Sequence, residues 1–125
     1  MDLRFTPREL DIMSALWTRG PSTVAEVREA LEDDLAHNTV LTMLRVMEGK
    51  GYVSRTREGR ADRYAPEVER GDAGERALDR VTERLFGGSP EELLLRLVDS
   101  GLDQDELKRM RDLLDQRIEE MEDDR

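Results

Sequence analysis

Apolar positions in the first half of the chain recur at helical spacing three times and then shift to strand spacing. Leu10, Met13, Leu16 and Trp17 mark a first amphipathic helix, with Trp17 as its core anchor. Thr6-Pro7-Arg8-Glu9 opens it: Thr6 suits the N-cap, Pro7 the first helical position, and Glu9 the acidic position of a capping box. Gly20-Pro21 ends it. Thr23-Val24-Ala25-Glu26 repeats the box and opens a two-turn helix bearing Val24, Val27 and Leu31, and Pro21-Ser22-Thr23 before it suits a brief extended segment. The third stripe is Val40, Met43, Leu44 and Met47. Lys50-Gly51 closes that helix with a late cation and a residue that tolerates left-handed dihedrals. From Tyr52 the period falls to two. Residues 52–57 read as a strand, Glu58-Gly59 as the turn, and residues 60–65 as the return strand, stopped by Pro66.

The second half is helical throughout. Residues 67–72 are polar and contain a glycine, which suits a hinge. Helical spacing resumes from Ala73 with Leu78, Val81 and Leu85, and Gly87-Gly88 interrupts it. Ser89-Pro90-Glu91-Glu92 is a third box for a helix holding Leu93, Leu94, Leu95, Leu97 and Val98, too apolar all round for a helix exposed on one side. Asp103 and Glu106 begin a last helix in which Leu107, Met110, Leu114 and Met121, with the neighbouring Leu113 and Ile118, approximate a heptad seam. Three such helices bury little core alone. Leu78, Val81, Leu85, Leu94, Leu97, Leu107, Met110, Leu114 and Ile118 are therefore read as a face that pairs with a second copy of the chain. The expected architecture is mainly α. A winged helix-turn-helix domain with a small β-hairpin wing occupies residues 1–68, and a C-terminal three-helix dimerisation domain occupies residues 69–125.

Charge changes this picture in one respect. The net charge is −10, which taken alone argues against a nucleic-acid partner. The acid is unevenly placed: residues 1–65 carry a net −1 and residues 66–125 a net −9. Within residues 45–63, six cations (Arg45, Lys50, Arg55, Arg57, Arg60 and Arg63) stand against three acids. Positive charge thus gathers on the third helix and the hairpin, where a winged helix-turn-helix meets a DNA groove.

The residue types on the outer side of the third helix fit that role. Asn38 can bond adenine bidentately, Thr39 and Thr42 can bond bases or phosphate, Leu41 can meet a thymine methyl, and Arg45 supplies a long cation. His37 near the helix start and Lys50 at its end stand within reach of phosphate. Arg57 and Arg60 are the wing candidates, with Arg60 suited to the minor groove. Alternation along the strands prevents Arg55, Arg57 and Arg63 from all facing one partner.

Other chemistries find little support. There is no cysteine, hence no disulfide or thiolate metal site, and the single histidine leaves no metal cluster to expect. No nucleophile elbow or phosphate loop is present, so neither an enzyme nor a cofactor is expected. No apolar run approaches the roughly 18 residues of a membrane span, and the N-terminus lacks a signal-peptide pattern. A cytoplasmic protein without membrane insertion is expected.

An ordered set of residues resembles a known family. Leu3, Thr6, Glu9, Ile12-Met13, Leu16-Trp17, Gly20-Pro21, Thr23, Glu26-Val27, Thr39-Val40, Thr42-Met43-Leu44, Lys50-Gly51, Gly59-Arg60, Tyr64 and Pro66 look like the penicillinase-repressor family, the BlaI/MecI type. The likeness continues through Phe86-Gly87-Gly88-Ser89 to Leu107–Leu114. It implies a homodimeric transcriptional repressor on a palindromic operator in double-stranded DNA. In the best-known members a membrane sensor-protease detects a β-lactam and the repressor is cleaved in its dimerisation domain. That makes β-lactam-response genes, and release by proteolysis, the corresponding expectations. The chain departs from the pattern at Leu35, where a tryptophan is frequent, and at Val46, where an arginine is common. Leu95-Arg96 stands where the family has a cleavable Asn-Phe bond, and the C-terminal cysteine cluster of copper-responsive relatives is missing. The competing expectation is a winged-helix adaptor that binds a protein and no specific DNA. The cation excess in residues 45–63 favours the repressor.

Overall fold

The structure, a computed structural model, describes residues 4–124. Its order is α1 (Pro7–Arg19), β1 (Ser22–Thr23), α2 (Val24–Ala30), α3 (His37–Gly49), β2 (Val53–Glu58), β3 (Ala61–Pro66), α4 (Arg70–Leu85), α5 (Pro90–Val98) and α6 (Gln104–Asp123). The chain divides into two compact units, Met1–Asp79 and Arg80–Arg125.

In the first unit both capping boxes form as the sequence dictates. Thr6 accepts from the Glu9 N–H while the Glu9 carboxylate accepts from the Thr6 N–H, and Thr23 and Glu26 repeat the exchange. Gly20 ends α1 at φ 86°, a conformation that favours glycine. The core gathers Ile12, Met13, Leu16, Val24, Val27, Val40, Leu44, Met47, Tyr52, Val53 and Tyr64. One helical expectation fails here. Leu10 is 47% exposed, and Ile12 takes the inward position instead, since Ile12, Met13 and Leu16 all lie at 0% exposure.

The sheet is antiparallel in the order β1-β3-β2. The short extended segment before α2 is its third strand, pairing Ser22 with Tyr64 and Thr23 with Arg63. The turn lies one residue later than the sequence pattern suggests. Glu58 pairs with Ala61, so Gly59 and Arg60 are the two turn residues. Gly59 has φ 60° and no non-glycine residue among those described has positive φ, which is the type II′ pattern with glycine first.

Of the hinge expected at residues 67–72, residues 70–72 are instead the first turn of α4, and residues 67–69 are the bend that leads into it. Val68 and Ala73 are buried with the first unit's core, the Trp17 indole N–H donates to the Val68 carbonyl at 2.8 Å, and the Arg70 guanidinium lies 5.6 Å from the Trp17 ring centroid. These contacts order the segment and carry the compact division into α4, beyond residue 68.

The second unit, Arg80–Arg125, differs in kind. Ser89 and Asp103 cap α5 and α6 through the N–H groups of Glu92 and Glu106, although at α5 only the hydroxyl's half of the expected box forms. Neither α5 nor α6 has a buried residue. Leu107 and Met110 are half-buried, whereas Val81, Leu85, Leu94, Leu97, Leu114 and Ile118 are exposed, as is Leu78 at the end of the first unit. Among the described residues no helix is long and apolar enough to cross a membrane.

Candidate nucleic-acid interface

Three restraints fix α3. Its inner side, Val40, Leu44 and Met47, is wholly buried, and Met43 is half-buried beside it. Its C-terminus closes in a Schellman turn: the Tyr52 N–H donates to the Met47 carbonyl, the Gly51 N–H to the Glu48 carbonyl, and Gly51 takes φ 84°. Its entry is held by two arginines. Arg8 of α1 reaches Asp33 at 2.6 Å, and Arg28 of α2 donates to the Leu35 carbonyl at 2.6 Å while lying 3.8 Å from Asp34. The three consecutive acids before α3 are thus partly neutralised by arginines from neighbouring helices. Neither arginine stood out in the sequence, because each acts on residues distant along the chain.

The outer side of α3 exposes Asn38, Thr39, Thr42 and Arg45, with His37 at its first residue. Leu41 is only half-exposed and packs against the core, so it is not the freely presented apolar residue expected there. That position belongs to Val46, which is 50% exposed. The helix has no side-chain cap, since Ala36 occupies the N-cap.

A groove of about 320 Å³ joins this helix to the wing. His37, Leu41 and Arg45 line it from α3, Thr23 from the start of α2, and Arg60 and Asp62 from the hairpin. The wing tip therefore stands beside the outer side of α3, a juxtaposition of residues 15 or more apart that no local pattern discloses.

The ion pairs redistribute the charge counted from sequence. Lys50 donates to the Glu9 carboxylate at 2.8 Å and lies 5.8 Å from the Tyr52 ring centroid. Glu9 is buried, and burial alone would raise its pKa. The hydrogen bond and charge of Lys50, with the Thr6 hydrogen bonds, outweigh this and hold it below the ordinary 4.5. The same hydrogen bond raises the Lys50 pKa. Lys50 therefore joins the end of α3 to the start of α1, and its charge is already engaged. The strand register puts Arg55, Arg57, Asp62 and Tyr64 on one side of the hairpin and Arg63 on the other. Asp62 lies 3.6 Å from Arg55 and 3.4 Å from Arg57, and Arg55 also approaches Glu48. Arg63 bonds Glu58 at 2.6 Å and Glu26 at 3.2 Å. Hydrogen bonding to Glu58 keeps its pKa raised. Among the described residues, Arg45 and Arg60 form no ion pair or hydrogen bond. The two unengaged cations of the helix and wing thus line the same groove.

The penicillinase repressor family model matches residues 5–116. The chain is 46% identical over 61 residues to the transcriptional regulator BlaI of Mycobacterium tuberculosis, a stretch covering 46% of this chain and 44% of that relative, less than half its length. It is 21% identical over 112 residues to the methicillin resistance regulatory protein MecI of Staphylococcus aureus, covering 87% and 91% of the two chains. Among solved structures, a MarR family protein from Bacillus stearothermophilus superposes with a TM-score of 0.52 at 25% identity, over 94% of this chain and 75% of that one. The BlaI and MecI relatives are both regulators by name.

Proposed function

The chain belongs to the penicillinase repressor family, and on that premise we propose that it is a transcriptional repressor that binds a palindromic operator as a homodimer. Each α3 enters a major groove, and the two copies stand about one helical turn apart, roughly 34–36 Å. Asn38, Thr39 and Thr42 read base edges or adjacent phosphates, while Arg45 and Arg60 carry the electrostatic contact. The observation that carries this reading is the convergence of Arg45 and Arg60, both without an internal partner, on the groove beside a polar helix face. His37 lies in the same groove and is assigned a phosphate contact. Lys50 and Arg57 contribute less than the sequence suggests, because Glu9 and Asp62 already hold them.

The second copy docks through the exposed leucines of α4, α5 and α6, which leave the second unit without a buried core. β-Lactam-response genes are the first targets to test. The releasing signal is assigned to a partner such as a membrane sensor-protease, as in the family's best-known members, acting at a bond other than the Asn-Phe bond that Leu95-Arg96 replaces here. The test is capture of genomic fragments by the purified protein at near-physiological salt, followed by sequencing. Enrichment of one palindrome upstream of a few genes is expected. A folded, dimeric protein that enriches no sequence would overturn the proposal in favour of a protein-binding adaptor.

A further inference from the structure

The position of Val46 has no explanation in the fold of the first unit. It is 50% exposed on a helix whose other large apolar residues are buried or half-buried. A β-branched residue at an exposed helix site costs propensity relative to alanine and gains nothing from solvent. Asn38, Thr42 and Val46 recur every four residues, so they form one ridge along the outer side of α3. Gly49, three residues beyond Val46, has no side chain and open space where one would begin, so it puts no side chain beside Val46. Eight residues of helix rise about 12 Å, which matches three to four base-pair steps of about 3.4 Å. A helix laid along the groove can therefore present Asn38 and Val46 to the same half-site.

We infer that Val46 is a specificity-determining residue that packs against the C5-methyl of a thymine in each half-site. Thymine methyl is the one apolar group on the major-groove edge of the four bases, so it is the base feature an isolated valine can recognise. The inference rests on the operator reading above and adds what one residue of that interface selects. It also moves the apolar contact from Leu41, which the core already engages, to a residue free to make it.

The test uses full-length protein and the operator fragment recovered by genomic capture, with each thymine replaced in turn by deoxyuracil, which removes only the methyl. Loss of one methyl from contact is expected to weaken wild-type binding about fourfold per half-site. V46A, which keeps an exposed helical site helical, is expected to lose a similar amount and to become indifferent to that methyl, so the two losses do not add. T42A serves as a control: it weakens binding but retains the methyl effect. Wild-type binding that ignores every thymine methyl, or a V46A protein that keeps full methyl sensitivity, would overturn the inference while leaving the operator reading intact. Failure to recover any preferred sequence would overturn both.

Discussion

The two units solve the burial problem in opposite ways. The first closes a core around Ile12, Leu16, Leu44, Met47 and Tyr64 with helices on one side and a three-stranded sheet on the other. In the second, α5 and α6 bury nothing completely, and Leu85 is 73% and Leu113 66% exposed. Both carry amphipathic helices opened by side-chain caps, α1 and α2 in the first and α5 and α6 in the second. The contrast shows that capping and periodicity are enough to form helices but not to complete a domain, since most helical stability comes from packing an apolar face. The first unit supplies its own partner surface, whereas the second leaves its apolar side exposed, the surface that the homodimer proposal assigns to a second copy.

The largest expected effect attacks that dependence. Replacing Leu85 and Leu114 together by Glu should abolish self-association in sedimentation experiments and lower operator affinity at least about 100-fold, because one half-site then binds without its mate. The first unit should keep its thermal transition. If the double variant remains dimeric, the exposed leucines are not the pairing surface.

Next is the first unit's own core. L44A should cost about 2–5 kcal/mol of unfolding free energy by denaturant titration, through lost burial and the cavity left behind. An equal truncation at Leu113 should leave the monomer's stability nearly unchanged, as the side chain is exposed there. Similar losses at the two sites would mean that the second unit has a core of its own.

The charge pairing makes a sharper distinction among cations of one hairpin. Removing Arg60 should reduce the salt slope of operator binding by roughly two for the dimer, one per copy, whereas R57A should change it far less because Asp62 already screens that guanidinium. Equal slopes for the two variants would show that the Asp62 pairing breaks on DNA.

Glu9 gives a smaller effect with a defined pH window. Its folded pKa lies below the unfolded 4.5, so its stabilising contribution is present above that value and is lost as pH falls through the folded pKa. The stability of E9Q should therefore decline less than that of wild type as pH falls below about 4.5, the reference value. Unfolding titrations at neutral and acid pH check this. Least of all, Y64F should be neutral or stabilise by up to about 1 kcal/mol, since the buried Tyr64 hydroxyl has no hydrogen-bond partner among the described residues. A clear loss of stability would mean that the hydroxyl is bonded after all.

Local chemistry made much of this protein legible from its sequence. The boxes at Thr6 and Thr23, the stop at Gly20 and the Gly51 turn depend on residues within five positions of one another, so side-chain type and spacing suffice to determine them, while the hairpin was legible but for its turn, placed one residue early. The buried stripe of α3 and the polar residues opposite it were readable for the same reason. What tertiary structure alone decided were choices between neighbours and partners across long separations. Ile12 rather than Leu10 faces the core, and Val46 rather than Leu41 stands free, because the angular position of a helix is set by what it packs against. The α4 start at Arg70 depends on Trp17, whose indole bonds a carbonyl 51 residues away. The active charge of the interface was likewise hidden: Lys50 meets Glu9 across 41 residues and Arg63 meets Glu26 across 37. Counting cations along the chain could not separate engaged from free, since electrostatic partners are chosen by distance in space and only folding brings them within a few ångströms.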